Sequence, residues 1–493
     1  MLCSIPSFVL EGISARPCQV EVSIARGQLS GTTIVGLPDT AVRESIERVR
    51  AAVLNSGYQW PDGHLTINLA PANVRKEGPM YDLPIAVAVL MAGRTIEPPT
   101  SIRTADILMA GELALDGTVR GIRGTTSMVL LGHQAKARAI LVPTGNMQEA
   151  SIVSDASVLA VHSLGEAVAW MNGGHELALV QSESIPENMD DRDFVEVFAQ
   201  EQVKRALLVA AAGWHNMIML GPPGTGKSML AGCLPGILPP LNDREFKEVI
   251  QIRSCMGWPE EESISRRPPF RSPHHSCTAA AVIGGGSHPR PGEISLAHNG
   301  ILFLDELPEF PRSVLETLRQ PLEEHAVTIA RASGSVRYPA RCLLIAAMNP
   351  TRDGRRAMRR SDDALMKISA PLLDRLDLHV EVCSVPIASL RRAKKGMSTR
   401  KMAGMVKAAR RRMDERQGGR LNGMLDGQAL DTIARFRSES LDCLEESIHE
   451  LGMSARAWNR IRRVARTIAD IDGHDHVEIP DVVEAIQYRS MEC

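Results

Sequence analysis

Most residues of this 493-residue chain that can do chemistry fall between Gly221 and Asn349. Gly221, Pro222, Pro223, Gly224, Thr225, Gly226, Lys227 and Ser228 fit the spacing GxxxxGK[ST], directly after the apolar run Met217 to Leu220 and at the start of a helical segment, Lys227 to Leu234. Strand, glycine loop, helix is the setting in which this motif cradles phosphate. Glycines let the backbone turn its N–H groups inward, and the helix N-terminus adds positive potential. Lys227 neutralises the outer phosphates and Ser228 offers an oxygen to Mg²⁺. The expected ligands are ATP and Mg²⁺.

A phosphate loop binds nucleotide; efficient hydrolysis also needs an acid pair at the end of a neighbouring buried strand. Ile301 to Leu304 is such a strand, and Asp305 and Glu306 follow it. Asp305 can hold the Mg²⁺ shell while Glu306 takes a proton from the attacking water or orients it. Asp-Glu after four apolar residues is also a common strand-end turn, and the pairing with the loop favours the functional reading. A third run, Cys342 to Ala347, leads into Met348, Asn349 and Pro350. Asn349 would stand beside the terminal phosphate if this strand lies between the other two; an Asn before Pro equally suits a simple turn.

These side chains need elements to hold them. The three apolar runs are continuous rather than alternating, as in a parallel sheet covered by helices on both faces, so the stretch from 193 to 386 is expected to be an α/β domain. Ahead of it, residues 1–178 alternate strands and helices. Val20 to Ile24 and Leu65 to Leu69 show the two-residue period of half-buried strands. Between them Asp39 or Thr40 can cap a helix whose Val42, Ile46, Val49 and Val53 form one apolar stripe. An α+β domain is expected there, then a polar linker over 179–192. Residues 387–493 read as helical and begin with a basic region containing Arg391, Arg392, Lys394, Lys395, Arg400, Lys401, Lys407, Arg410, Arg411, Arg412, Arg416 and Arg420. The whole is a multidomain α/β chain.

With 56 basic and 58 acidic side chains, no global charge excess points to a polyanion or a membrane surface, so any such site must be local. Aromatics at 3% argue against a base-stacking platform. Nine cysteines, never spaced CxxC, fit a reducing compartment. The longest apolar stretch, Leu83 to Ala92, is too short to span a bilayer, and no basic region precedes the apolar N-terminus. The expectation is a cytoplasmic protein without a membrane partner. His274, His275 and Cys277 lack a second ligand pair at metal spacing, so the cluster is read as loop scaffold rather than as zinc ligands.

Longer matches add to these motifs: Phe270 to His275, Gly284 to Gly286, Pro291 to Glu306, Ala347 to Pro350, Pro371 to Asp377, Ser454 to Ala457 and Ala465 to Asp470. Through them nearly the whole chain resembles the AAA+ ATPases, specifically the magnesium-chelatase-subunit-like branch and its ComM/YifB family of bacterial competence-associated proteins. The resemblance implies a homo-oligomeric ring, usually of six subunits, with ATP between neighbours. Arg375 then resembles the arginine finger that acts on the adjacent subunit's ATP, and Arg456 the sensor-2 arginine of a helical lid over 387–493. Residues 326–338 alternate around a small polar tip, Ser333 to Ser335, and read as a β-hairpin. In the branch resembled, a hairpin at this place enters a central pore, where Arg331 and Arg337 would follow a DNA backbone; solvated arginines on a structural hairpin are the alternative.

Lys76 to Pro84 and Gly111 to Arg120 resemble the ribosomal S5-like fold shared with Lon-type protease domains. Met80 and Tyr81 stand where the protease serine is expected, so no peptidase activity is expected. Many relatives carry four cysteines after the Met-Asn-Pro element; residues 351–360 contain none, and no zinc is expected. Ala199 stands where a glycine commonly precedes Gln200. What the resemblance implies for function is an Mg²⁺-dependent ATPase ring that threads single-stranded or branched DNA without sequence preference, a branch-migration helicase in recombination and natural transformation. Glu306, Asn349, Arg375 and Arg456 would serve hydrolysis. A protein-remodelling or metal-chelatase accessory ATPase is the alternative.

Overall fold

A computed structural model describes residues 2–25, 30–153, 156–181, 192–257, 264–286, 289–331, 334–349, 368–384 and 396–489. The chain forms two compact units, one of residues 1–186 with 246–265, the other of 187–245 with 266–493. Most of the expected linker over 179–192, the arginines of 351–360, and Arg391, Arg392, Lys394 and Lys395 lie outside the described residues.

The first unit carries two four-stranded sheets. In one, Leu2–Glu11, Ser14–Ala25 and His64–Ala70 run antiparallel, and Gly31–Val35 joins His64–Ala70 in parallel. Both alternating runs are strands, and the helix Thr40–Asn55 lies between them in sequence. The Asp39 carboxylate accepts from the Val42 N–H at 2.8 Å, satisfying an amide that the first turn leaves without a partner. Val42, Val49 and Val53 point into the core. The apolar run that is too short for a membrane is the helix Asp82–Ala92, buried on nearly all sides. Met80, Tyr81 and Lys76 are buried too, and the Lys76 ammonium donates to the Pro71 carbonyl. No helix among the described residues is long and apolar enough to cross a membrane.

The second unit is built on a five-stranded sheet, all parallel, in the order Phe270–Arg271, Ile301–Leu304, Leu343–Met348, Met217–Leu220, Leu378–Glu381. The three continuous apolar runs are its central strands, with Ile301–Leu304 and Leu343–Met348 buried throughout. The strand leading to Asn349 does lie between the strand of the glycine loop and that of the acid pair. Helices Thr399–Gln417 and Ala455–Asp472 pack into the same apolar core, where Val406, Ile461 and Ile468 join Leu230, Phe303 and Ile345.

The basic region is not one solvated face. A helix of 3.6 residues per turn distributes consecutive cations around its axis, so some of Thr399–Gln417's arginines turn inward. Arg416 makes a two-pronged bond at 2.6 and 2.7 Å to the fully buried Asp470, and Arg412 donates to the Asp470 carbonyl at 2.7 Å. Arg410 donates to the Ala211 carbonyl at 2.7 Å, and its guanidinium lies over the Trp214 ring. Arg400, Lys401, Lys407, Arg411 and Arg420 remain exposed.

Candidate nucleotide site

The glycine loop is shaped by backbone needs that only glycine meets cheaply. Gly224 and Gly226 have φ of +78° and +86°, the left-handed region that penalises a Cβ. At Gly221 a Cβ would come within 2.3 Å of the carbonyl oxygen of Val382, the residue just after the adjacent strand. Thr225 braces the turn by donating from its hydroxyl to the Pro222 carbonyl at 2.9 Å. Beside Gly224 and Gly226 a Cβ would meet nothing within 4 Å, so the space next to the loop is open there. Pro223 is exposed on its rim.

Lys227 opens the helix Lys227–Cys233 and its ammonium curls back over the loop. It donates to the carbonyls of Gly221 at 2.7 Å and Pro222 at 2.9 Å and to the Asn349 side-chain oxygen at 3.0 Å. Burial pulls its pKa below the ordinary lysine value, opposed by the carboxylates of Asp305 and Glu306. The Ser228 hydroxyl donates to the Asp305 carboxylate at 2.7 Å. These two hard oxygens beside an ammonium suit Mg²⁺ and a polyphosphate chain, and the open cradle next to them suits phosphate oxygens.

Glu306 has φ of +52°, a left-handed conformation uncommon for a non-glycine residue. Its N–H is held by the Asp305 side chain at 2.9 Å, and its half-exposed carboxylate lies 3.4 Å from the His275 Nδ1. His275 is thus a neighbour of the acid pair; His-His alone could not reveal this, because the contact joins two separate strand ends.

Arg375 and Arg456 form a different cluster. The Arg375 guanidinium pairs with Glu323 and donates to the Pro371 carbonyl. Arg456 donates to Asp374 at 3.0 Å, and Arg460 reaches the same carboxylate at 3.6 Å. The Arg375 carbonyl accepts from Asn216, the residue ahead of the strand Met217–Leu220, whose other end carries the loop. Five residue steps at about 3.3 Å put roughly 16 Å between those ends. The expected hairpin is present: Ala326–Arg331 pairs antiparallel with Gly334–Pro339, Arg331 opposite Gly334 at the tip and Arg337 opposite Thr328. Arg337 is exposed, whereas Val327, Ile329 and Tyr338 are buried.

A parallel sheet with the glycine loop, the acid pair and an intervening asparagine at its carboxyl edge, with a packed helical segment after it, defines the AAA+ P-loop class. Residues 193–390 match the family described as magnesium chelatase, subunit ChlI; residues 20–146 match subunit ChlI of Mg-chelatase, and 396–489 the ChlI C-terminal family. The chain is 42% identical to the YifB protein of Salmonella typhimurium, over 98% of this chain and 96% of that one. It is 38% identical to the competence protein ComM of Haemophilus influenzae over 97% and 96%. A magnesium-chelatase 38 kDa subunit of Cereibacter sphaeroides is 27% identical over 39% of this chain and 58% of its own length. The protein belongs to the ComM/YifB family of magnesium-chelatase-like AAA+ ATPases.

Proposed function

We propose that the protein is an Mg²⁺-dependent ATPase ring that moves along single-stranded or branched DNA, acting as a branch-migration helicase in recombination and natural transformation. Residues 1–178 would be an S5-like N-terminal domain, 193–386 the ATPase domain and 387–493 its helical lid. The observation that carries the ATPase part is the meeting of Lys227 with Asn349 and of Ser228 with Asp305 at one sheet edge. Gly221 to Ser228 bind the phosphates and Lys227 offsets their charge. Ser228 and Asp305 would hold Mg²⁺, which neutralises charge on the phosphate oxygens. Glu306 takes the proton of the attacking water, and Asn349 fixes the water's position.

Arg375 is tied to the far end of the loop's own strand, roughly 16 Å of strand away from the loop, which favours a role outside its own subunit's phosphate site. It suits a phosphate presented by a neighbouring copy, which supports the ring, and Arg456, held on the adjacent Asp374, suits the same edge. The DNA part is supported by likeness to a protein named for competence and by the exposed Arg337 on the hairpin. Its test is ATP turnover with and without single-stranded and forked DNA. Stimulation that disappears when Arg331 and Arg337 are changed to Glu supports it. The likeness to a magnesium-chelatase subunit favours a second reading, an accessory or remodelling ATPase, and turnover indifferent to DNA would select it.

A further inference from the structure

Three residues join the helix Glu201–Gly213 to the strand of the phosphate loop: Trp214, His215 and Asn216. Trp214 ends the helix in a left-handed conformation, φ +64°, and the guanidinium groups of Arg341 and Arg410 each lie 5.6 Å from the centre of its ring. Strained backbone persists only where its surroundings hold it, and the two residues that follow are both bonded to the segment 375–377.

Asn216 is doubly engaged. Its side-chain oxygen accepts from the N–H of Leu344, in the strand that ends at Asn349, at 2.9 Å, and its amide donates to the carbonyl of Arg375 itself at 3.2 Å. Its backbone carbonyl also accepts from the N–H groups of Asp377 at 2.8 Å and Leu378 at 3.1 Å.

His215 is fully buried. One ring nitrogen is 3.2 Å from the Asp377 carboxylate, and the other is 2.8 Å from the Thr467 hydroxyl, on the helix that carries Arg456. Room for this ring comes from Gly213, where a Cβ would stand 2.2 Å from the His215 Nε2. Thr467 in turn accepts from Asn422 at 3.1 Å, which also donates to Asp470 at 2.8 Å.

We infer that His215 and Asn216 are positioning residues for Arg375, fastening the segment 375–377 to the phosphate-loop strand, the Asn349 strand and the Arg456 helix at once. Movement at one subunit's loop is thereby passed to the arginine that the same subunit offers its neighbour. The inference rests on the reading that Arg375 acts on a neighbour's nucleotide. The buried His215, engaged at both ring nitrogens, and the half-buried Asn216, engaged at its oxygen and its amide, suit this task because moving one member leaves others unpaired, so the segment shifts as a unit.

The test uses full-length Asn216→Asp and His215→Gln. The first keeps an acceptor for the Leu344 N–H and loses the donor to the Arg375 carbonyl; the second keeps polar groups of similar reach. Each is assayed alone and mixed with Lys227→Ala, which has an intact Arg375, or with Arg375→Ala, which has an intact loop. Expected are unchanged binding of a fluorescent ATP analogue and turnover lower by on the order of 10²-fold, the scale for a displaced catalytic group. Lys227→Ala should restore turnover and Arg375→Ala should not. Full turnover alone, restoration by Arg375→Ala, lost nucleotide binding, or no restoration by either partner overturns the inference. The Lys227→Ala and Arg375→Ala mixture contains neither new variant. If that mixture is inert, the reading of Arg375 fails and the inference with it; if it is active, failure belongs to the inference alone.

Discussion

The side-chain oxygen of Asn349 accepts a hydrogen bond at 3.0 Å from the ammonium of Lys227, across 122 residues of sequence. One group ends the central strand and the other begins the helix after the glycine loop, so the two meet because their strands are neighbours in the sheet. Asn349→Ala should leave ATP binding nearly intact, because Lys227 keeps its two loop carbonyls. Turnover should fall by roughly 10²-fold, as when one preorganised polar group is removed from an active site. Phosphate release beside analogue binding checks both halves.

Glu306→Gln preserves the shape of the acid and removes its basicity. Turnover is expected to fall by about 10² to 10⁴, the range for a general base, while nucleotide binding persists. Undiminished steady-state hydrolysis would remove Glu306 from its assigned role.

Lys227→Ala and Arg375→Ala should each be inert alone and active when mixed, because a ring containing both includes seams with an intact loop facing an intact arginine. The loss on Arg375→Ala should be that of an arginine finger, on the order of 10³ or more. Turnover of the mixture against each variant alone is the measurement, and ATP-dependent sedimentation reports whether rings form.

Burial pushes the thiols of Cys255 and Cys342 up to about 12 and that of Cys18 to about 11. Thiolate is the reactive form, so these three should resist alkylation at pH 8 while the exposed Cys383 reacts. In the unfolded chain the same thiols ionise near pH 9, so between about pH 9 and 12 the unfolded state holds fewer protons than the native one. Their contribution to stability is full below pH 9 and is lost as pH rises towards 12. Mass-resolved labelling and thermal midpoints across that window test both statements.

Much of the candidate site was legible because its parts are local. A glycine loop between an apolar strand and a helix is a contiguous pattern, and so are the acid pair and the asparagine at their strand ends. The hairpin was legible from its alternation. The basic region was less so: net charge along a segment does not reveal that Arg412 and Arg416 turn inward to Asp470. Nor did sequence single out His215 and Asn216, since nothing nearby marks a histidine and an asparagine whose partners lie 128 to 252 residues away.

By itself the sequence determined the identity and local order of the phosphate-binding parts, because backbone conformation and strand-helix alternation depend on near neighbours. The tertiary structure decided strand order, and with it the meeting of Asn349 with Lys227 and the placing of Arg375 at the opposite end of the loop's own strand. Those outcomes follow from which apolar faces bury against one another, a property of the packed sheet and its helices that no short stretch of chain contains.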